Sequence, residues 1–217
     1  MQTRQQFSKT ISKQVQLEYL LHVPQREGKH PMIIFLHGRG ESGNDLDLIK
    51  VHGIPRIVED QPDFPFITVA PQCPIGTSWV LLSDALEALL EEVLARPDVD
   101  LARVYLTGIS LGGHGTWYLG ALRPDVFAAI APVCGSPFRA NVFPARYEAL
   151  KYTPVWAFHG TDDDVVPMSD QQVTIDALKE ISHAEVRFTL YPGVQHDSWT
   201  QTYANPELYA WFLKHAK

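Results

Sequence analysis

Cysteine is scarce in this chain. Its two cysteines, Cys73 and Cys134, lie far apart and outside metal-ligand spacing, so neither a disulfide framework nor a thiolate metal site is expected, and both read as reduced, buried thiols. Long hydrophobic runs are missing as well. Nowhere do about 18 apolar residues follow one another, which excludes an ordinary membrane-spanning helix. A basic excess is also lacking: the formal net charge is -7, and an acidic surface repels phosphate backbones, so nucleic acid is not an expected partner. The N-terminal stretch has no apolar segment ahead of a small-residue cleavage site and does not read as a signal peptide, so a cytoplasmic location is expected. No repeat, low-complexity tract or interdomain linker interrupts the 217 residues, and a single domain spanning 1–217 is expected.

What the chain does contain is an alternation of strand-length apolar runs and helical patterns, the sequence form of a mostly parallel sheet with helices on both faces. Strands are predicted at Gln16–Val23, Met32–Leu36, Phe66–Ala70, Val104–Thr107, Ala128–Val133, Val155–Phe158 and Val186–Tyr191. Most are apolar at successive positions, as strands buried on both faces are. The first alternates polar with apolar residues and suits a half-exposed antiparallel edge. Helices are predicted at Asp84–Ala95, Leu111–Leu122, Ser169–Ile181 and Pro206–Lys214, with Ser169 capping the third and Asn205 capping the fourth ahead of Pro206.

The strongest local signal is Val104-Tyr105-Leu106-Thr107-Gly108-Ile109-Ser110-Leu111-Gly112-Gly113, a strand running straight into G-x-S-x-G and then into a helix. A nucleophile on so sharp a turn needs small neighbours two residues to either side, here Gly108 and Gly112, and it sits at the positive end of the following helix. Ser110 is therefore the candidate nucleophile. The Leu111 backbone N–H is one candidate oxyanion donor.

A hydroxyl needs a base, and the base needs a carboxylate that fixes its tautomer. In this strand–turn–helix context the acid precedes the histidine. The strand ending in Phe158-His159-Gly160 is followed by Thr161-Asp162-Asp163-Asp164, of which Asp163 is favoured on motif register and Asp162 is the alternative, because spacing alone does not say which side chain turns inward. The base is read as His196, delivered by Tyr191-Pro192-Gly193-Val194-Gln195 after the last strand. Of the remaining histidines, His22 and His30 read as surface and His52, His114 and His159 as packing residues; their spacing gives no metal site. The second oxyanion donor is read as the backbone N–H of Arg39, between Gly38 and Gly40 after an early strand; one such donor is worth roughly 3 to 4 kcal/mol to the transition state. The Arg39 side chain stays unassigned between solvent, Glu41 and an acidic substrate group. Trp79 and Trp199 lie in loops and are candidate walls of a substrate pocket, with Phe138 a further candidate.

Taken together, His37-Gly38-x-Gly40, Gly108-x-Ser110-x-Gly112-Gly113, His159-Gly160-x-x-Asp163-x-x-Val166-Pro167 and the late His196 resemble the phospholipase/carboxylesterase branch of the α/β-hydrolases, which includes acyl-protein thioesterases. Ala70-Pro71-Gln72-Cys73-Pro74, Trp79, Gly112-Gly113-His114-Gly115-Thr116-Trp117 and His196-Asp197-Ser198-Trp199 look similar to a peptidase or esterase group related to bacterial polyhydroxybutyrate depolymerases. The resemblance implies an α/β-hydrolase fold, Asp163 as the acid, oxyanion donors at Arg39 and Leu111, no cofactor, and a small-molecule ester as substrate. Thioesters and activated amides are the alternative substrates, and a hydrolase-shaped binding module without turnover is the alternative class. The stretch from Asp125 to Pro154 is too short for the lid that lipases of this fold carry, so an open site for short or accessible acyl groups is expected.

Overall fold

The computed structural model describes residues 2–10, 12–61, 63–140 and 145–217. Its centre is a seven-stranded sheet of β1 (Tyr19–His22), β2 (His30–Leu36), β3 (Ile67–Pro71), β4 (Val99–Ile109), β5 (Ala129–Val133), β6 (Val155–Gly160) and β7 (Val186–Tyr191) in the order β1-β3-β2-β4-β5-β6-β7. Only β1 is antiparallel, paired with β3 at the edge. The alternating first segment is thus an edge strand, although shorter than its pattern suggests. β4 is longer than expected, because it starts at Val99 and shifts register against β2 before the Val104 ladder begins.

The strand sequences account for the layering. β2, β3, β5 and β6 are buried at every position, since helices cover both sheet faces. Met32, Ile34, Val104 and Leu106 pack on one face with α2 (Ser83–Leu94), α3 (Leu111–Leu122) and α4 (Met168–Ile181). Ile33, Phe35, Tyr105 and Ile109 pack on the other with α1 (Gly53–Asp60), α5 (Trp199–Ala204) and α6 (Pro206–Lys214). Both α1 and α5 escape sequence reading because they are short. Asn205 caps α6 by accepting the Glu207 N–H. Ser169 does not cap α4: the helix starts one residue earlier, and Pro167, without a side-chain cap, occupies that position.

The strand order fixes where a site can form. The chain reverses its direction of travel across the sheet between β2 and β4, which lie side by side, and a crevice opens beyond the carboxyl ends of strands at such a switch point. In the parallel β2–β4 ladder Leu36 sits opposite Gly108, so the His37–Gly40 turn and Ser110 leave the sheet next to each other.

Candidate functional site

β4 ends at Ile109 and α3 begins at Leu111, which leaves Ser110 alone to make the turn. It does so at φ 51 and ψ -110, a positive φ that a residue with a Cβ rarely adopts. Its own N–H donates to the Val133 carbonyl at 3.0 Å and so ties the turn to β5. The turn is tight enough that a Cβ at Gly112 would lie 1.8 Å from the Leu36 carbonyl oxygen, and one at Gly108 would lie 2.5 Å from that of Gly112. Those contacts are the physical content of the G-x-S-x-G pattern here.

The loop after β7 carries His196 to this turn. Its Nε2 is 2.9 Å from Ser110 Oγ, and its Nδ1 is 2.7 Å from Asp163 Oδ2. Asp163, rather than Asp162, turns inward: its side chain is fully buried, while Asp162 is exposed and accepts from the neighbouring Thr161 hydroxyl. Burial pushes the Asp163 carboxyl up, but the Val166 and Val165 N–H groups on Oδ1 and the His196 ring on Oδ2 outweigh it, and the net displacement is downward. A fourth donor comes from His159. Gln171 donates to its Nδ1 at 2.7 Å, so the ring proton sits on Nε2, within 3.0 Å of Asp163 Oδ2 and 2.9 Å of the Val166 carbonyl.

Arg39 opens a 3-10 turn (Arg39–Glu41) and Leu111 opens α3, so neither backbone N–H has an acceptor within its own helix. Both residues line a cavity of about 340 Å³ that Ser110 and His196 also face. Such an array can move a proton from a hydroxyl to an imidazole held in one tautomer, and its free N–H groups suit a developing oxyanion.

Residues 81–206 match the family described as Phospholipase/Carboxylesterase. The chain belongs to that family. Among curated relatives, the carboxylesterase SOBER1 of Arabidopsis thaliana is 30% identical over 192 residues, covering 76% of this chain and 82% of that protein. Acyl-protein thioesterase 1 homolog 2 of Dictyostelium discoideum is 24% identical over 202 residues, covering 82% and 90%. The chain also matches the bifunctional acetylxylan esterase/xylanase XynS20E of Neocallimastix patriciarum at 28% identity over 151 residues, 65% of this chain but only 20% of that protein. A solved thermostable esterase superposes with a TM-score of 0.79 at 32% identity, over 94% of this chain and 60% of that one. This member of the phospholipase/carboxylesterase family has the α/β-hydrolase fold and spans less than a third of the length of some of the curated relatives it matches. No inserted lid stands over the cavity among the described residues, and no helix there is long and apolar enough to cross a membrane.

In this member of the family Trp199 is a cavity wall, its ring 5.4 Å from that of His196. Trp79 is not. It is fully buried, its indole N–H donates to the His37 carbonyl at 3.0 Å, and it packs so closely on α3 that a Cβ at Gly115 would come within 2.7 Å of it. A loop position in sequence hid a core residue. Phe138 also lies outside the cavity lining, whereas the next residue, Arg139, is within it. His52 and His114, expected as packing residues, both reach the cavity, and His30, expected at the surface, is buried with its Nε2 on the Arg26 carbonyl. His52 and Arg139 follow no motif, and the Gly112–Trp117 motif that contains His114 gives it no role in the cavity. Position is a signal for two of them: His114 sits one helical turn, and Arg139 a short turn, beyond the carboxyl end of a strand, whereas His52 sits at the N-cap position of α1 in the long connection after β2.

Two buried histidines give the stability of this protein a pH dependence of its own. His37 accepts the Cys73 N–H on Nε2 and donates from Nδ1 to the Gly38 carbonyl, and burial pulls its pKa down to about 4. His114 accepts the Ser136 N–H on Nδ1 and is likewise held near 4, by burial first and then by the charge of Arg139. Unfolded histidine titrates near 6.5. As pH falls from about 6.5 to about 4 the unfolded chain takes up protons that the folded chain refuses, so stability is fully present above this window and lost on descending through it. Each ring contributes on the order of 3 kcal/mol over the full interval. The urea midpoint is expected to fall steadily between pH 7 and pH 4.5; a flat midpoint contradicts both assignments.

Proposed function

We propose that this chain is a serine carboxylesterase acting through an acyl-enzyme, as one α/β-hydrolase domain in the cytoplasm, a compartment that fits its two free, buried cysteines. Ser110 Oγ attacks the ester carbonyl carbon while its proton passes to His196 Nε2, and the backbone N–H groups of Arg39 and Leu111 receive the carbonyl oxygen as it becomes an oxyanion. The C–O bond to the alcohol then breaks, and the His196 proton goes to the departing oxygen. Water repeats the sequence in reverse: it gives a proton to His196, attacks the acyl carbon, and releases the acid as the proton returns to Ser110. Asp163 holds the ring and stabilises its charged form. The observation that carries this reading is the unbroken relay from Ser110 through His196 to Asp163, at 2.9 and 2.7 Å.

The open cavity suits short or otherwise accessible acyl groups. Relatives named acyl-protein thioesterases favour a second reading, thioesters at the same Ser110. A fluorophosphonate followed by peptide mass analysis tests the chemistry: the adduct is expected on Ser110, and an adduct elsewhere, or none, overturns the mechanism. Turnover of matched oxygen and sulfur esters of graded chain length then decides the leaving group.

A further inference from the structure

Three hydrogen-bond donors on the cavity wall take no part in the steps above as side chains. Arg39 follows β2, Arg139 follows the β5 turn, and His114 lies one helical turn beyond Ser110; all three line the cavity that Ser110 faces. Elsewhere Arg56, Arg96, Arg103, Arg123 and Arg187 each pair with an aspartate or glutamate, whereas Arg4, Arg26 and Arg146, outside this cavity, do not among the described residues. Among the described residues Arg39 and Arg139 form no such pair, and Arg139 spends one N–H on the Val165 carbonyl at 3.3 Å.

His114 adds a directed donor. Only 8% of the residue is exposed, and its Nδ1 must be bare because it accepts the Ser136 N–H at 2.7 Å. The proton of the neutral ring is therefore on Nε2, for which no protein acceptor exists among the described residues. Burial and Arg139 keep the ring neutral, so it serves as a donor rather than as a third cation.

One carboxylate, Glu41, shares the wall. It does not neutralise the arginines: it is 7% exposed, burial pushes its carboxyl up, and the basic groups near it are His37 and His52, each at 3.9 Å. A protein of net charge -7 thus presents two guanidinium groups, without an acidic partner among the described residues, on the wall of one cavity.

We infer that Arg39, Arg139 and His114 form an anion subsite that takes a carboxylate borne by the ester substrate, so that the preferred substrates are monoesters of dicarboxylic acids. The inference rests on the reading of Ser110 as the nucleophile and adds the charge of what Ser110 attacks. Planar guanidinium groups match a carboxylate in two-pronged geometry, and such charge-assisted bonds are about twice as strong as neutral ones.

The test is a matched pair, the 4-nitrophenyl monoester of adipic acid against the 4-nitrophenyl ester of adipamic acid, which replaces the carboxylate with a neutral amide of the same shape. For the wild-type protein kcat/KM is expected to favour the anionic ester by roughly tenfold at low salt, the value of one charge-assisted bond. The preference should shrink in 1 M NaCl, where the Debye length falls to about 3 Å. Arg139→Gln should remove most of the preference while leaving turnover of the amide within about twofold, a change in the ratio that general loosening of the site does not produce; Arg139→Lys should restore part of it. Equal turnover of the two esters by the wild-type protein, or a preference indifferent to salt, overturns the subsite whether or not the variant folds. If both esters are cleaved alike and the fluorophosphonate still labels Ser110, only the subsite falls. If neither is cleaved and Ser110 is unlabelled, the serine mechanism falls with it.

Discussion

Ser110→Ala is expected to lower kcat on a soluble short-chain ester by on the order of 10⁶-fold, the scale seen when a triad nucleophile is removed. Neither His196 nor water held beside it replaces the missing oxygen, because the only hydroxyl its Nε2 meets among the described residues is that of Ser110. The fold should survive. Alanine keeps the Cβ at the same positive φ, so the turn is no more strained than before, and one part-buried hydrogen bond is worth about 1 kcal/mol. Steady-state rates with a thermal melt of the same preparation check both statements. Residual activity above about one percent of wild type, in a protein free of wild-type contamination, would move the nucleophile elsewhere.

Asp163→Asn is expected to cost about 10⁴-fold in kcat with little change in secondary structure, as a triad aspartate does when its geometry stays but its acceptor capacity does not. Asp163 takes four donors, two backbone N–H groups on Oδ1 and two histidine rings on Oδ2. An amide has only one oxygen. Turned toward Val165 and Val166, that oxygen leaves the NH₂ group facing His196 Nδ1, which must then be bare, so the ring proton moves to Nε2 and can no longer accept from Ser110. Turned the other way, it leaves both backbone donors facing an amide that cannot receive them. A loss smaller than tenfold would mean that the ring is oriented by something other than Asp163.

Much of this arrangement is legible in the sequence, for identifiable reasons. Parallel strands covered on both faces must be apolar throughout, so β2, β3, β5 and β6 announce themselves, and the Gly108 and Gly112 positions report backbone contacts too close for any side chain. The order in which Ser110, Asp163 and His196 occur follows from the order of β4, β6 and β7 in the sheet. Other features carry no linear trace. Which of Asp162 and Asp163 faces inward depends on the Val165 and Val166 N–H groups folding back over the carboxylate. Trp79 looks like a pocket residue because it follows a proline-rich turn, yet the glycine that makes room for it, Gly115, is 36 positions away on another element. Arg139, His114 and His52 reach the cavity from three separate connections, and only the folded sheet edge reveals that they are neighbours.

The edge where β2 and β4 diverge has a further consequence for how this protein can change. Stability resides in two apolar layers beneath the sheet edge, whereas the cavity is lined by segments that leave it, the turns after β2 and β5 among them. A change confined to Arg139, which lines the cavity between the buried Ser136 and Ala140, can therefore alter what the cavity receives while the scaffold is inherited intact.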